Sequence, residues 1–313
     1  MQHIPPPTGP VPPPIGNASP DAPSRWRVAP VTAAIVALNV AVFVVQVVMA
    51  RDARAVSRVP TAESLQFGAN YALATIREHR FETLVTACFL HSGILHIALN
   101  MLVLWQAGPL VERAVGSARM APMYLFAGIA SSLLSALVSW LGGHASYSVG
   151  ASGAIMGVLA AALVIGWRVQ GWRGPLTQAM VRWLGFNLVF GLLIGVQGGN
   201  IDNAAHIGGA IAGAFVATLW KRGVRYSPAA TRLVLAGCAA IVLAAGGAVA
   251  ARSLRDPFAG MLVDERYDEA QAALSKGDCR RAWDALRATE RLAPRAAPVR
   301  QLRADFDASC RPM

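Results

Sequence analysis

Charge is what this sequence has least of. Only 14% of its 313 residues are Asp, Glu, Lys or Arg, with a mean hydropathy of +0.44, whereas about a quarter of a soluble domain is charged. The shortage is uneven. Residues 28–50, 83–111, 120–167, 183–201, 203–220 and 233–251 contain no charged side chain at all. Crossing the hydrocarbon core takes roughly 20 apolar residues as a helix. A soluble all-α core, the alternative, does not need six uncharged windows of that length. The window 120–167 is too long for one crossing, and Gly142-Gly143-His144-Ala145-Ser146 divides it. The expectation is therefore an all-α polytopic membrane protein with about seven spanning helices.

Cysteine is scarce as well. The four present include no Cys-x-x-Cys, which removes the usual metal signature. Cys88 and Cys238 fall in apolar windows and read as small apolar residues. Cys279 and Cys310 lie in a polar tail and can pair in an oxidising compartment; spacing alone does not decide whether they do. A cleavable signal peptide is not expected, because the N-terminus is Pro-rich and the first apolar run is long enough to span.

Acidic residues are missing from one set of segments only. The N-terminal arm and the loops 112–119, 168–182 and 221–232 carry eleven basic residues, opposed by Asp21 and Glu112. The intervening loops balance five basic residues with five acidic ones. This alternation follows the positive-inside rule, so the net charge of +11 implies a membrane orientation and no nucleic-acid partner. The N-terminus is expected in the cytoplasm and the C-terminal tail outside, most simply across a bacterial inner (plasma) membrane.

Along the chain, residues 1–27 read as a disordered Pro-rich cytoplasmic arm. Spanning helices are expected at about 31–50, 93–111, 120–141, 152–167, 180–197, 203–220 and 233–251. Asn39 is expected to bond between helices. The outer loop 51–82 carries Leu65, Phe67, Tyr71 and Leu73, which suit the membrane interface. Residues 28–222 thus form a six-helix core, and 233–251 an extra transmembrane helix. Residues 256–313 form a soluble tail whose apolar positions flank Lys276-Gly277-Asp278 as in a tetratricopeptide-like hairpin. One hairpin is too few for a repeat array; it is either a contact for a protein partner or a passive appendage.

Three stretches carry polar groups that an apolar helix needs a reason to hold. In Gly150-Ala151-Ser152-Gly153, a serine sits where an outer loop becomes a helix, with side chains removed on both sides. Unpaired N–H groups at that helix start can hold an oxyanion. By itself the motif also reads as small-residue packing. In Ala205-His206-Ile207-Gly208-Gly209, a histidine lies one turn into another helix, at a similar depth. Gly209 and Gly213 follow on a smooth face against which the serine helix can pack. That packing brings an imidazole, the usual base for a serine, towards Ser152; a structural or proton-relay histidine is the alternative. His96 and Asn100, four apart on one helix face, can supply donors to an oxyanion. His91 lies off that face and reads as structural, tying down the preceding loop. A metal held by His91, His96 and His206 lacks a carboxylate or thiol to complete it, so no metal and no cofactor are expected. Asp202 belongs at the aqueous rim and Asn203 orders the same helix end equally well, which leaves a Ser–His dyad without a triad acid.

His91-x4-His96-x3-Asn100, Gly150-Ala151-Ser152-Gly153 and Ala205-His206-Ile207-Gly208-Gly209, in that order, resemble the rhomboid family of intramembrane serine proteases over roughly residues 30–220. The resemblance implies Ser152 as nucleophile and His206 as general base. It implies that His96, Asn100 and N–H groups near Ser152 stabilise the oxyanion, and that Gly209 and Gly213 permit close helix approach. Transmembrane protein substrates are implied as well. Two positions depart from the family pattern. Where it often has Trp-Arg before the second helix, this chain reads Arg80-Phe81-Glu82-Thr83; where an aromatic residue often follows the serine by four, it has Met156. The alternative function is a non-proteolytic rhomboid-like protein that binds membrane clients. A transporter would be expected to show an internal repeat or paired broken helices, and neither is evident.

Overall fold

The computed structural model describes residues 29–50, 52–142, 147–196, 201–221, 223–224, 226–255, 263–292 and 297–310. The expected arm 1–27, most of the break at 142–146, Arg222 and Arg225 lie outside the described residues.

Helices make up almost everything described. They are α1 (Pro30–Ala50), the short α2 (Thr61–Gln66) and α3 (Thr83–Thr86), α4 (Ile94–Val115), α5 (Ser117–Leu141) and α6 (Ser152–Gln170). α7 (Pro175–Val196), α8 (Asn203–Leu219), α9 (Pro228–Arg255), α10 (Val263–Ser275), α11 (Cys279–Leu292) and α12 (Ala297–Ser309) follow. Six of them, α1, α4, α5, α6, α7 and α9, are long and apolar enough to cross a membrane. α8 is also apolar but has 17 residues, about 25 Å of helix. The protein is an integral membrane protein. Proline opens α1, α7 and α9, where its missing N–H has no intrahelical partner to lose.

α6 is the axis. Every residue from Gly153 to Ala162 is buried, enclosed by α4, α5, α7 and α8. A helix apolar all round is expected at such a position. The outer helices show the converse: Val44, Val48, Phe186, Leu193, Leu233 and Leu243 are exposed, the surface a lipid-facing helix presents. α9 lies along α5. α1 is stitched to α4 by Glu112, whose carboxylate accepts from the N–H groups of Val31 (2.9 Å) and Thr32 (2.8 Å) and from the Thr32 hydroxyl (2.8 Å). Those N–H groups are the orphan donors of the α1 N-terminus, and a carboxylate is the ligand they favour.

Asn39 is fully buried; its amide donates to Ile35 O of its own helix at 2.8 Å, and its side chain faces the Tyr124 hydroxyl of α5.

The tail holds one helix more than expected. It is a three-helix unit and not a lone hairpin: α10 and α11 form the expected pair, and α12 packs Leu302 and Phe306 against Ala270, Ala282 and Leu286. A disulfide joins Cys279, at the start of α11, to Cys310 beyond α12. The turn between α10 and α11 uses Asp278 as a cap, its carboxylate accepting from Arg281 N at 3.0 Å.

Candidate active site

The loop before α4 and the segment before α6 are brought together by a two-residue antiparallel ladder, β1 (Asn70–Tyr71) with β2 (Tyr147–Ser148). From β2 the chain turns at Gly150, whose N–H donates to Ala87 O at 2.9 Å. Its φ of +126° lies where side chains are strained. A Cβ there would also sit 2.8 Å from His96 Nε2 and 3.8 Å from Asn100 Nδ2. Gly150 is therefore the point at which α4's polar face touches the chain leading into Ser152.

Ser152 opens α6 and His206 lies in the first turn of α8. The His206 Nε2 to Ser152 Oγ distance is 3.0 Å. Helices usually pack 8–10 Å apart; α6 and α8 come closer because glycines face each other. A Cβ on Gly209 would lie 1.9 Å from Gly153 O, and one on Gly213 would lie 2.1 Å from Gly157 O. On the other side of α6, a Cβ on Gly153 would collide with the Ser131 side chain of α5.

His96 Nδ1 lies 3.0 Å from Ser92 Oγ and 3.4 Å from Ser92 N. A backbone N–H can only donate, so Nδ1 accepts, and the neutral ring carries its proton on Nε2, the atom facing Gly150. Asn100 uses one amide hydrogen on His96 O at 3.1 Å and keeps a second. A cavity of about 600 Å³ joins these groups: Ser152, His206, His96 and Asn100 line it, with Met156 and the hydroxyls of Ser131 and Ser132.

His91 is fully buried, and its ring meets that of His96 edge-on at 5.1 Å between centroids. Burial, and after it the neighbouring His96, pushes its imidazole down to about 3. The Phe89 backbone faces the ring. The preceding loop is also tied down by main chain, Val59 N donating to Ser92 O at 2.9 Å, while His91 N donates to Gln46 Oε1 at 3.1 Å. Among the described residues no group of three His, Cys, Asp or Glu side chains could hold a metal ion.

Asp202 is engaged elsewhere. One oxygen caps α8 by accepting from Ala205 N at 2.8 Å, and the other accepts from the Ser135 hydroxyl. His206 Nδ1 has no partner among the described residues. Sequence reasoning passed over Ser92, Ser131 and Gly157. Ser92 stands four residues before His96, a helix-face spacing that was available as a signal; Ser131 and Gly157 sit among many small residues and gave none.

The family model described as the Rhomboid domain matches residues 78–223. Rhomboid protease AarA of Providencia stuartii is 33% identical over 205 residues, covering 59% of this chain and 70% of that protein. Rhomboid protease GluP of Bacillus subtilis (strain 168) is 38% identical over 168 residues, 52% of this chain and 30% of the relative. RHOMBOID-like protein 1 of Arabidopsis thaliana is 32% identical over 158 residues, 49% of this chain and 38% of the relative. The chain belongs to the rhomboid family. It spans about a third of the lengths of the latter two relatives.

Proposed function

We propose that the protein is an intramembrane serine endopeptidase that cleaves transmembrane segments of other membrane proteins. The observation that carries this is the 3.0 Å pairing of His206 Nε2 with Ser152 Oγ inside a cavity also lined by His96 and Asn100. Ser152 Oγ attacks the scissile carbonyl carbon while its proton passes to His206 Nε2. The carbonyl oxygen becomes an oxyanion facing His96 Nε2–H, the free Asn100 amide hydrogen and the N–H groups opening α6. Each such donor is worth about 10²–10³ in rate. His206 then gives its proton to the departing amine, and water, activated by the same imidazole, releases the acyl group. No step requires a metal or cofactor. Gly150 and Gly153 beside Ser152 in the cavity wall suit a small residue before the cut, in a segment weakened by Gly or Pro.

In this reading the N-terminus lies in the cytoplasm of a bacterial cell and the site near the outer surface of the plasma membrane, which the distribution of basic loops supports. The Cys279–Cys310 disulfide supports a tail on that oxidising side. In this reading 28–222 is the catalytic core, 233–251 an added transmembrane helix, and 256–313 a soluble tail available to a protein partner.

The test is labelling of the purified protein with a fluorescent fluorophosphonate, beside cleavage of a model transmembrane substrate. Wild type should do both; Ser152→Ala and His206→Ala should do neither. A folded wild type that neither labels nor cleaves would replace the protease with a client-binding protein.

A further inference from the structure

A second cavity, of about 700 Å³, lies at the other end of the helices. Arg168 of α6 lines it, and sixteen residues of helix separate Arg168 from Ser152, roughly 24 Å. That approaches the thickness of a hydrocarbon core, so this cavity opens at the opposite membrane surface from the serine.

Its wall comes from the α4–α5 turn, the last turns of α6 and α8, and the chain leading to α9. Arg113, Arg119, Arg168 and Lys221 line it, and among the described residues no Asp or Glu does. Glu112, the adjacent acid in sequence, has its carboxylate committed to Val31, Thr32 and Ser117. Two of the cations are held in position by neutral groups. Arg168 donates to the carbonyls of Ala217, Thr218 and Trp220 at the end of α8. Arg119 donates to Lys221 O at 3.2 Å and lies 5.7 Å from the centre of the Tyr226 ring. A carbonyl oxygen and a ring face orient the Arg119 guanidinium without cancelling its charge. Deeper in, the wall turns apolar with Ile165, and Trp220 and Tyr226 are the ring types found at headgroup level.

Positive charge at the rim, an apolar interior and a position at the membrane surface together describe an amphiphilic anion. We propose that this cavity binds the phosphate of an anionic phospholipid of the phosphatidylglycerol class, with Arg119 and Lys221 on the phosphate and Ile165 and Trp220 along the glycerol and first acyl carbons. Basic pockets between transmembrane helices are suited to such headgroups. α6 and α8 both end here, so a bound lipid joins the far ends of the two helices whose near ends carry Ser152 and His206.

The experiment is native mass spectrometry of the full chain released from nanodiscs containing equal palmitoyl-oleoyl phosphatidylglycerol and phosphatidylcholine. Each cation near an anionic surface is worth roughly five-fold in affinity. Wild type should therefore retain phosphatidylglycerol in strong preference. Arg119→Gln with Lys221→Gln should lower that preference by about 25-fold, and Lys221→Arg should keep it. Lys221→Gln alone, whose ammonium has no partner to lose among the described residues, covers the case in which the double variant melts early in phosphatidylcholine. Equal retention of the two lipids by wild type would overturn the proposal, as would an unchanged preference in Lys221→Gln. So would displacement of the lipid by millimolar inorganic phosphate, which would assign the cavity to a soluble anion.

Discussion

Adding one methyl group at Gly209 tests whether the site depends on the contact between α6 and α8. A Cβ there would lie 1.9 Å from Gly153 O, while ordinary contact begins near 3.4 Å. The obstacle is backbone, which cannot rotate aside, so the helices must part by about 1.5 Å at this level. His206 is one turn away on the same helix. Its 3.0 Å approach to Ser152 would open beyond hydrogen-bond range if that parting reached it in full. Overpacking of this kind costs about 1–3 kcal/mol in stability, and a misplacement near 1 Å can cost about 10² in rate. Gly209→Ala should therefore lower the fluorophosphonate labelling rate by about two orders of magnitude, with a fall in melting temperature. Gly246→Ala is the control, because a Cβ on Gly246 meets nothing within 4 Å; it should label as wild type does. Labelling by Gly209→Ala at the wild-type rate would refute the reasoning, since the dyad would then be held by something other than this contact.

Two further variants probe other joints. Glu112→Ala removes the acceptor of the Val31 and Thr32 N–H groups and should destabilise the detergent-solubilised protein by about 3 kcal/mol, read as an earlier denaturation midpoint; an unchanged midpoint would mean the α1–α4 joint rests on packing alone. Replacing Cys279 and Cys310 with serine opens a link across 31 residues of sequence, worth about 3–4 kcal/mol in the chain-entropy account. Limited proteolysis should then cut the tail while cleavage of substrate stays as before, and a tail that remained resistant would refute the assignment.

The spanning architecture was legible because uncharged windows state it directly. The Ser152 and His206 stretches stood out for a related reason: a serine between glycines, and a histidine followed by glycines at four-residue spacing, are visible in one dimension. What α6 needs on its other face was not. Ser131 is one of several serines in α5, and only the fold shows that it fills the space above Gly153. The hydrogen bond that sets the His96 tautomer comes from Ser92, whose four-residue spacing to His96 was the one signal for it. α12 was missed because its charged residues interrupt the apolar ones, and Leu302 and Phe306 gain meaning only against α10 and α11. The loop before α4 is held in part by backbone N–H groups, which a side-chain sequence does not display.

The segment 80–83 is best read together with the end of α9. Glu82, in the segment Arg80-Phe81-Glu82-Thr83, pairs with Arg252 near the end of α9 at 2.9 Å. Ser253 of the same helix donates to Gln66 O at 3.0 Å, and a Cβ on Gly68 would meet Val249 at 2.7 Å. Towards the interior, the Thr83 hydroxyl meets that of Thr75, Thr75 donates to Asn70, and Asn70 donates to Ser132 O of α5. This hydrogen-bonded chain reaches β1, whose partner strand β2 leads to Gly150 and Ser152. The loop is therefore fastened outward by α9 and inward by α5, with the strand that delivers the serine between them. A rhomboid core without the seventh helix would lack Arg252, leaving Glu82, whose side chain is 10% exposed, a nearly buried carboxylate short of its closest cation. Residues 80–83 and the end of α9 are thus one structural unit, though 170 positions separate Glu82 from Arg252.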